Sequence, residues 1–215
     1  MKKEEKPRGG LKSYFVLIGV FLALLTVVVI FQPDVYMNLR LWGDQKIVRS
    51  GDVIRWCGAI RPSALQQITE AVNQAPSESG FTLVLASNRG GSIPGALAVA
   101  DHLAELRINK VVAADNCASA CGLLWALAPR RVIAEGTSVG FHQPHTAIGQ
   151  SAADSIRVQT QRMIAAGWPE ALVRTFMSVP AGQMYRMGVR DLQERAGVPF
   201  EVIPRGEVPA SYWCG

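Results

Sequence analysis

The hydrophobic pattern changes character twice in the first quarter of the chain. From Tyr14 to Phe31 it reads YFVLIGVFLALLTVVVIF, eighteen residues without a charge and apolar on every helix face. As a helix this run spans about 27 Å at ~1.5 Å per residue, close to the ~30 Å hydrocarbon core of a bilayer. A secretory h-region is shorter, about 7–15 residues, and ends at a small-x-small site. The FQPDVYMNL that follows Ile30 offers no such site. The run therefore predicts an uncleaved transmembrane signal anchor over 14–31. Residues 32–52 are mixed in polarity and without period, as in a stalk or lead-in.

From Val53 onward, strand-like and helix-like stretches alternate. Val53 to Ile60 puts Ile54, Trp56 and Ile60 on one face, and Leu65, Ile68, Ala71 and Val72 follow at helix spacing behind Ser63. Thr82 to Ala86 is a buried-type strand, SNRGGS a turn, and Pro94 opens a helix to about Arg107. The unit then repeats: strand Lys110 to Ala114, loop DNCAS, and the apolar helix ACGLLWALA. Val132 to Glu135 and Ser138 to His142 predict two further strands. A helix over Ala152 to Ala166, with Ile156, Met163 and Ile164 as its buried stripe, precedes shorter helices at Glu170–Met177 and Arg190–Arg195 and a last strand, Phe200 to Ile203. Strand and helix alternating across short connections predict one α/β domain with mainly parallel pairing over 53–215.

Charge fixes the topology. Lys2, Lys3, Lys6, Arg8 and Lys12 oppose only Glu4 and Glu5 in residues 1–13, so this basic tail is expected in the cytoplasm and everything beyond residue 32 outside it. The tail accounts for most of the net charge of +5, since the remaining 17 basic and 15 acidic groups nearly balance. A nucleic-acid partner, which calls for a basic face on the folded part, is therefore excluded. Export also changes how the four cysteines read, because an oxidising compartment favours disulfides. Four cysteines allow three pairings. The expected one joins Cys57 to Cys214, with Cys117 and Cys121 either bonded to each other or left as buried thiols. A metal site is not expected, because the Cys117/Cys121 spacing has no matching second pair and His142 and His145 read as a bland pair beside Pro144.

Two strand-to-helix turns carry candidate chemistry: Asn88-Arg89-Gly90-Gly91 after TLVLA, and Cys117-Ala118-Ser119-Ala120-Cys121 after KVVAA. Both aim backbone N–H groups from a helix N-terminus, where negative charge is favoured. Ser119 suits a nucleophile on a tight elbow, or a plain N-cap. A third motif, Gly140-Phe141-His142-Gln143-Pro144, sets a histidine at a strand end 23 residues beyond that serine.

Together these motifs resemble the Clp protease and crotonase superfamily, in particular its ClpP-like serine peptidases and their membrane-anchored bacterial relatives. The family's NSPGG turn is similar to Asn88-Arg89-Gly90-Gly91, its nucleophile elbow to CASACGLLWALA, and its MIHQP motif to Gly140–Pro144. The resemblance runs from about Val53 to Val202. It implies a spiral of βαβ units in which Ser119 is the nucleophile, His142 the general base, and the amides of Gly91 and Ala120 the oxyanion hole. It further implies an extended polypeptide substrate held along a strand edge, self-association, and no cofactor.

Departures from the family pattern are local. Arg89 stands where the family has a small residue or proline, to hold a substrate carboxylate or to close the site. The family's third triad member meets Arg174 in RTFMS, leaving Asp154 and Asp191 as candidate aspartates, or a dyad in which a backbone carbonyl or water orients His142. A Ser–Lys mechanism is excluded, since no lysine follows Ser119 and the exported part holds only Lys46 and Lys110. No GxxxxGK[ST] loop occurs, so the expected activity is an ATP-independent serine peptidase, with an inactive peptide-binding or scaffolding relative as the alternative.

Overall fold

The computed structural model describes residues 10–31, 45–144 and 152–214. The chain divides into two compact units, Met1–Tyr36 and Met37–Gly215. In the first, a single 22-residue helix, α1 (Gly10–Phe31), is described. Its described side chains, Tyr14–Leu24 and Thr26, are all exposed. Among the described residues no helix is long and apolar enough to cross a membrane. The rest of the expected 14–31 span falls on side chains outside the described ones, as do most of the basic tail, residues 32–44 and His145.

The second unit is built on an eight-stranded sheet. Strands β2 (Val53–Cys57), β3 (Phe81–Asn88), β4 (Ile108–Ala118), β5 (Arg131–Ala134) and β8 (Glu201–Ile203) lie in that order and pair in parallel. Helices α2 (Ala64–Asn73) and α3 (Ile93–His102) make the crossovers between the first three strands. Beyond β5, β4 takes a second parallel partner, β6 (Ser138–Phe141), with Ala118 opposite Gly140. The long strand is thus shared: residues 111–113 bond β5, and 116–118 bond β6. Antiparallel β7 (Tyr185–Gly188) completes the β6 edge.

Side-chain alternation along β3 divides the core. Leu83 and Leu85 face the main cluster under α2, α3 and α4 (Ala120–Leu127), while Val84 and Ala86 face a smaller one closed by Tyr212, Val208 and Ile203. That second face is covered by the C-terminal segment, two 3₁₀ turns at Arg205–Glu207 and Ala210–Tyr212. Arg55 Nη1 on β2 donates to the carbonyls of Ser211 (3.2 Å) and Trp213 (2.8 Å). A disulfide between Cys57 and Cys214, Cα atoms 6.0 Å apart, closes the same strap. Helices α5 (Ala152–Ala165), α6 (Glu170–Ser178) and α7 (Val189–Arg195) finish the main core with Phe141, Trp168 and Phe176, whose rings lie 4.2–6.0 Å apart.

Four expectations are corrected. Residues 46–50, read as lead-in, form β1 (Lys46–Ser50), antiparallel to β2. Its polar pattern is that of an edge strand. Arg49 lies 4.7 Å from the Phe81 ring centroid and donates to the carbonyls of Ala71, Val72 and Ala75 at the end of α2, where a cation complements the helix dipole. Helix α3 stops at His102, short of Arg107, because the chain turns through a left-handed Arg107 (φ 55°) into β4. DNCAS is mostly strand, since the long-range pairing with β6 carries β4 on to Ala118. On α5 the inward positions are Gln159 and Met163, with Ile156 packed against the core, and Ile164 is exposed.

Candidate active site

The site lies at the carboxyl ends of β3, β4 and β6, where parallel α/β sheets present their binding groups. Ser119 is the single residue between β4 and α4, with φ 58° and ψ −124°. A non-glycine residue there is held against a strain of about 1–3 kcal/mol. The Ser119 N–H donates to the Gly140 carbonyl (2.8 Å), and its carbonyl accepts from the Leu123 N–H (3.0 Å). Its side chain makes no capping bond, so the plain N-cap reading fails. Gly122 lets α4 approach β6, since a Cβ on it would lie 2.6 Å from the Gly140 oxygen, and Gly140 leaves room for Met184, whose Sδ a Cβ there would meet at 2.7 Å.

Strand register sets Ser119 and His142 at the ends of neighbouring strands. Ala118 pairs with Gly140, so Ser119 leaves β4 one residue beyond the pair and His142 leaves β6 two residues beyond it. Neighbouring strands run about 4.8 Å apart, so the two residues leave the sheet at adjacent strand ends. His142 is buried (9% exposed), and its Nδ1 lies 2.6 Å from the Gln143 carbonyl. A carbonyl only accepts, so Nδ1 carries a proton and donates it to this bond. The Gln143 N–H in turn donates to Val179 O (2.9 Å), anchoring this turn to the end of α6.

The glycine turn packs directly against the elbow. Gly90 (φ 92°) admits no side chain, since a Cβ would stand 2.6 Å from Ser119 Cβ and 2.9 Å from Ala120 N. Gly91 (φ 137°) bridges Ile60, and a Cβ there would stand 2.3 Å from Ile60 O. That bridge uses the Gly90 carbonyl and the Ser92 N–H, which turns the Gly91 N–H to the opposite side. The Gly90 N–H is taken by Asn88 Oδ1 at 2.9 Å. The Ala120 N–H opens α4 and has no intrahelical acceptor. The Ala120 N–H is thus a main-chain donor next to the serine, and Gly91 follows the glycine that packs against it. Asn88 Nδ2 is buried without a partner among the described residues.

Strain gathers around this corner. Of the four described non-glycine residues with positive φ, Ser119, Ser87 (46°) and Asp115 (66°) lie at or beside it. Ser87 Oγ donates to Asp115 Oδ2 (2.5 Å), joining irregularities on β3 and β4, and the register slips between Ala86 and Asn88. Such bulges re-aim the backbone next to functional sites. Arg89 projects exposed between buried Asn88 and Gly90.

The remaining candidates sit on helices. Asp191 Oδ2 accepts from the Gly188 N–H (3.1 Å) at the start of α7. Asp154 pairs with Arg157 (3.3 Å) on α5, and Arg174 pairs with Glu170 along α6. Cys117 and Cys121 are joined across the elbow, Cα atoms 5.2 Å apart and both fully buried. All four cysteines are thus in disulfides, and no group of three potential metal ligands forms among the described residues. A backbone carbonyl beside His142 is among the expected alternatives, and Gln143 supplies it; the Asn88 cap on Gly90 and the Gly122/Gly140 contact were missed from sequence. The Gln-Pro and Gly-Phe-His pairs of GFHQP were the available signals.

No protein-family model and no curated protein matches the chain. Among solved structures, a mutant ClpP1 from Listeria monocytogenes superposes with a TM-score of 0.59 at 17% identity, over 72% of this chain and 92% of that one. The fold is ClpP-like. At that identity the likeness concerns the path of the backbone, and residue roles within the ClpP-like fold rest on the geometry above.

Proposed function

We propose that this protein is a membrane-anchored serine peptidase that cleaves polypeptides outside the cytoplasm without ATP. The observation that carries the reading is the strained, non-capping Ser119 on the β4–α4 elbow, beside the strand that leads into His142. In the mechanism, His142 Nε2 takes the Ser119 Oγ proton as the oxygen attacks the scissile carbonyl. The same nitrogen then returns the proton to the leaving amine. The Gly91 and Ala120 N–H groups receive the developing oxyanion. An extended substrate would lie along the main chain at Gly91, with Arg89 at the rim suited to a carboxylate on it. The uncharged 14–31 run supports anchorage, and the basic tail supports a cytoplasmic N-terminus. Self-assembly of the exported domain is part of the same reading.

A second reading, a peptide-binding relative without turnover, is favoured by one observation: His142 Nδ1 meets a neutral carbonyl where a triad would offer a carboxylate. Fluorophosphonate labelling of the full chain in detergent separates the two. The peptidase is expected to be modified at Ser119 and to lose labelling in Ser119→Ala and His142→Ala. A folded wild-type chain that takes no label supports the binding protein.

A further inference from the structure

We propose that the Cys117–Cys121 disulfide is a positioning element for the Ser119 nucleophile, so that the serine is competent only once this bond has formed. The inference rests on the peptidase reading above and names the condition under which that site works. The bond joins the residues two before and two after the serine, so the elbow pivots on Ser119 inside a closed covalent ring. Cys117 is fixed on β4 between Asn88 of β3 and Val139 of β6, and Cys121 belongs to the first turn of α4. The ring therefore sets the direction of α4 relative to the strand. The Ala120 N–H and the serine hydroxyl depend on that direction.

Without the ring, the left-handed Ser119 backbone is held by its bonds to Gly140 O and Leu123 N and by contact with Gly90. A non-glycine residue at such an angle persists only where its surroundings over-determine it, and removing one constraint lets it relax toward ordinary backbone. A misplacement of about 1 Å at a reacting group lowers the rate by about 10²-fold. Reduction by a dithiol would release the ring in a balanced exchange. One thiolate attacks a cysteine sulfur, the second displaces the mixed disulfide, and the dithiol leaves as a cyclic disulfide with Cys117 and Cys121 as thiols. The chain would thus be latent while its cysteines are reduced and active after they pair.

The test uses the full chain in detergent micelles and a fluorophosphonate probe. Cys117→Ala/Cys121→Ala is expected to label Ser119 at least about tenfold more slowly at temperatures below melting, with kcat for a peptide falling, KM unchanged and the melting temperature lowered less than in the Cys57→Ala/Cys214→Ala chain. Cys57→Ala/Cys214→Ala, which keeps only the elbow bond, is expected to label at the wild-type rate below its lowered melting temperature. In that background, dithiothreitol should slow labelling and reoxidation should restore it, which keeps the test decisive if the alanine pair misfolds. Wild-type labelling rates in the elbow pair, or in the reduced Cys57→Ala/Cys214→Ala chain, overturn the proposal while leaving the peptidase standing. An oxidised wild-type chain that never labels overturns the peptidase reading, and this proposal with it.

Discussion

The two disulfides sit in regions built to opposite plans. Cys57–Cys214 joins residues 157 apart in sequence and fastens a strap over the small core face, whereas Cys117–Cys121 joins residues four apart around one strained serine. On chain-entropy grounds the long closure contributes about 5 kcal/mol and the short one about 2. The strap's own residues, Arg205 to Cys214, have no positive φ among the described residues. Around the elbow, three left-handed non-glycine residues and two glycines without room for a Cβ are crowded together. The contrast teaches that one chemistry serves stability when it closes a long loop and geometry when it closes a short one.

The sharpest break is at the elbow itself. Ser119→Ala and His142→Ala are each expected to lower kcat by about 10⁶-fold, with the double substitution no worse, because the pair acts as a unit. Steady-state hydrolysis of a fluorogenic polypeptide reads this, and near-normal turnover in His142→Ala would place the base elsewhere. Next, Gly91→Ala is expected to lose about 10²–10³ in kcat with the displaced oxyanion donor, and Gly90→Ala to lose activity by pushing on Ser119. Both should also melt earlier than wild type. At the strap, Cys57→Ala/Cys214→Ala should lose up to about 5 kcal/mol in a denaturant titration. Loss of labelling well below the melting temperature would erase the division of roles.

Smaller effects refine the same contrast. Burial holds the Tyr212 hydroxyl above its ordinary pKa of 10.0. Folded and unfolded chains are both protonated below that value, so the strap keeps its full stability there. Above it the unfolded chain ionises first, and stability falls as pH rises through the raised folded value. Urea midpoints should therefore decline on the alkaline side, and less steeply in Tyr212→Phe. Least of all, Asp154→Asn and Asp191→Asn should leave kcat near wild type. A loss approaching ~10⁴-fold at either would restore a carboxylate triad in place of the Gln143 carbonyl.

The parts of this molecule legible in the sequence are those written in local pattern. The period-two run at Val53, the short apolar run at Thr82, helix spacing after Ser63, and Pro94 behind the SNRGGS turn all mark elements close to where they begin. β1 and β7 escaped because edge strands need no buried alternation, and the end of β4 escaped because its partner, β6, lies some twenty residues further on. At the site, Ser119, His142 and the glycine pair stand out as residue types in short motifs. Which groups touch depends on register, and the single pair Ala118–Gly140 decides it. No side-chain pattern could announce an acceptor that belongs to the main chain.

That acceptor has an outcome for genetics. The Gln143 carbonyl that orients His142 persists whatever side chain stands at position 143, so an alanine scan passes over it and reports a catalytic set of two. The proline after it restricts Gln143 to extended backbone, and with that the direction in which the carbonyl points. Sequence drift at position 143 is thereby silent for the proton on Nδ1, and the orienting function is inherited through Pro144 and the turn anchored on Val179.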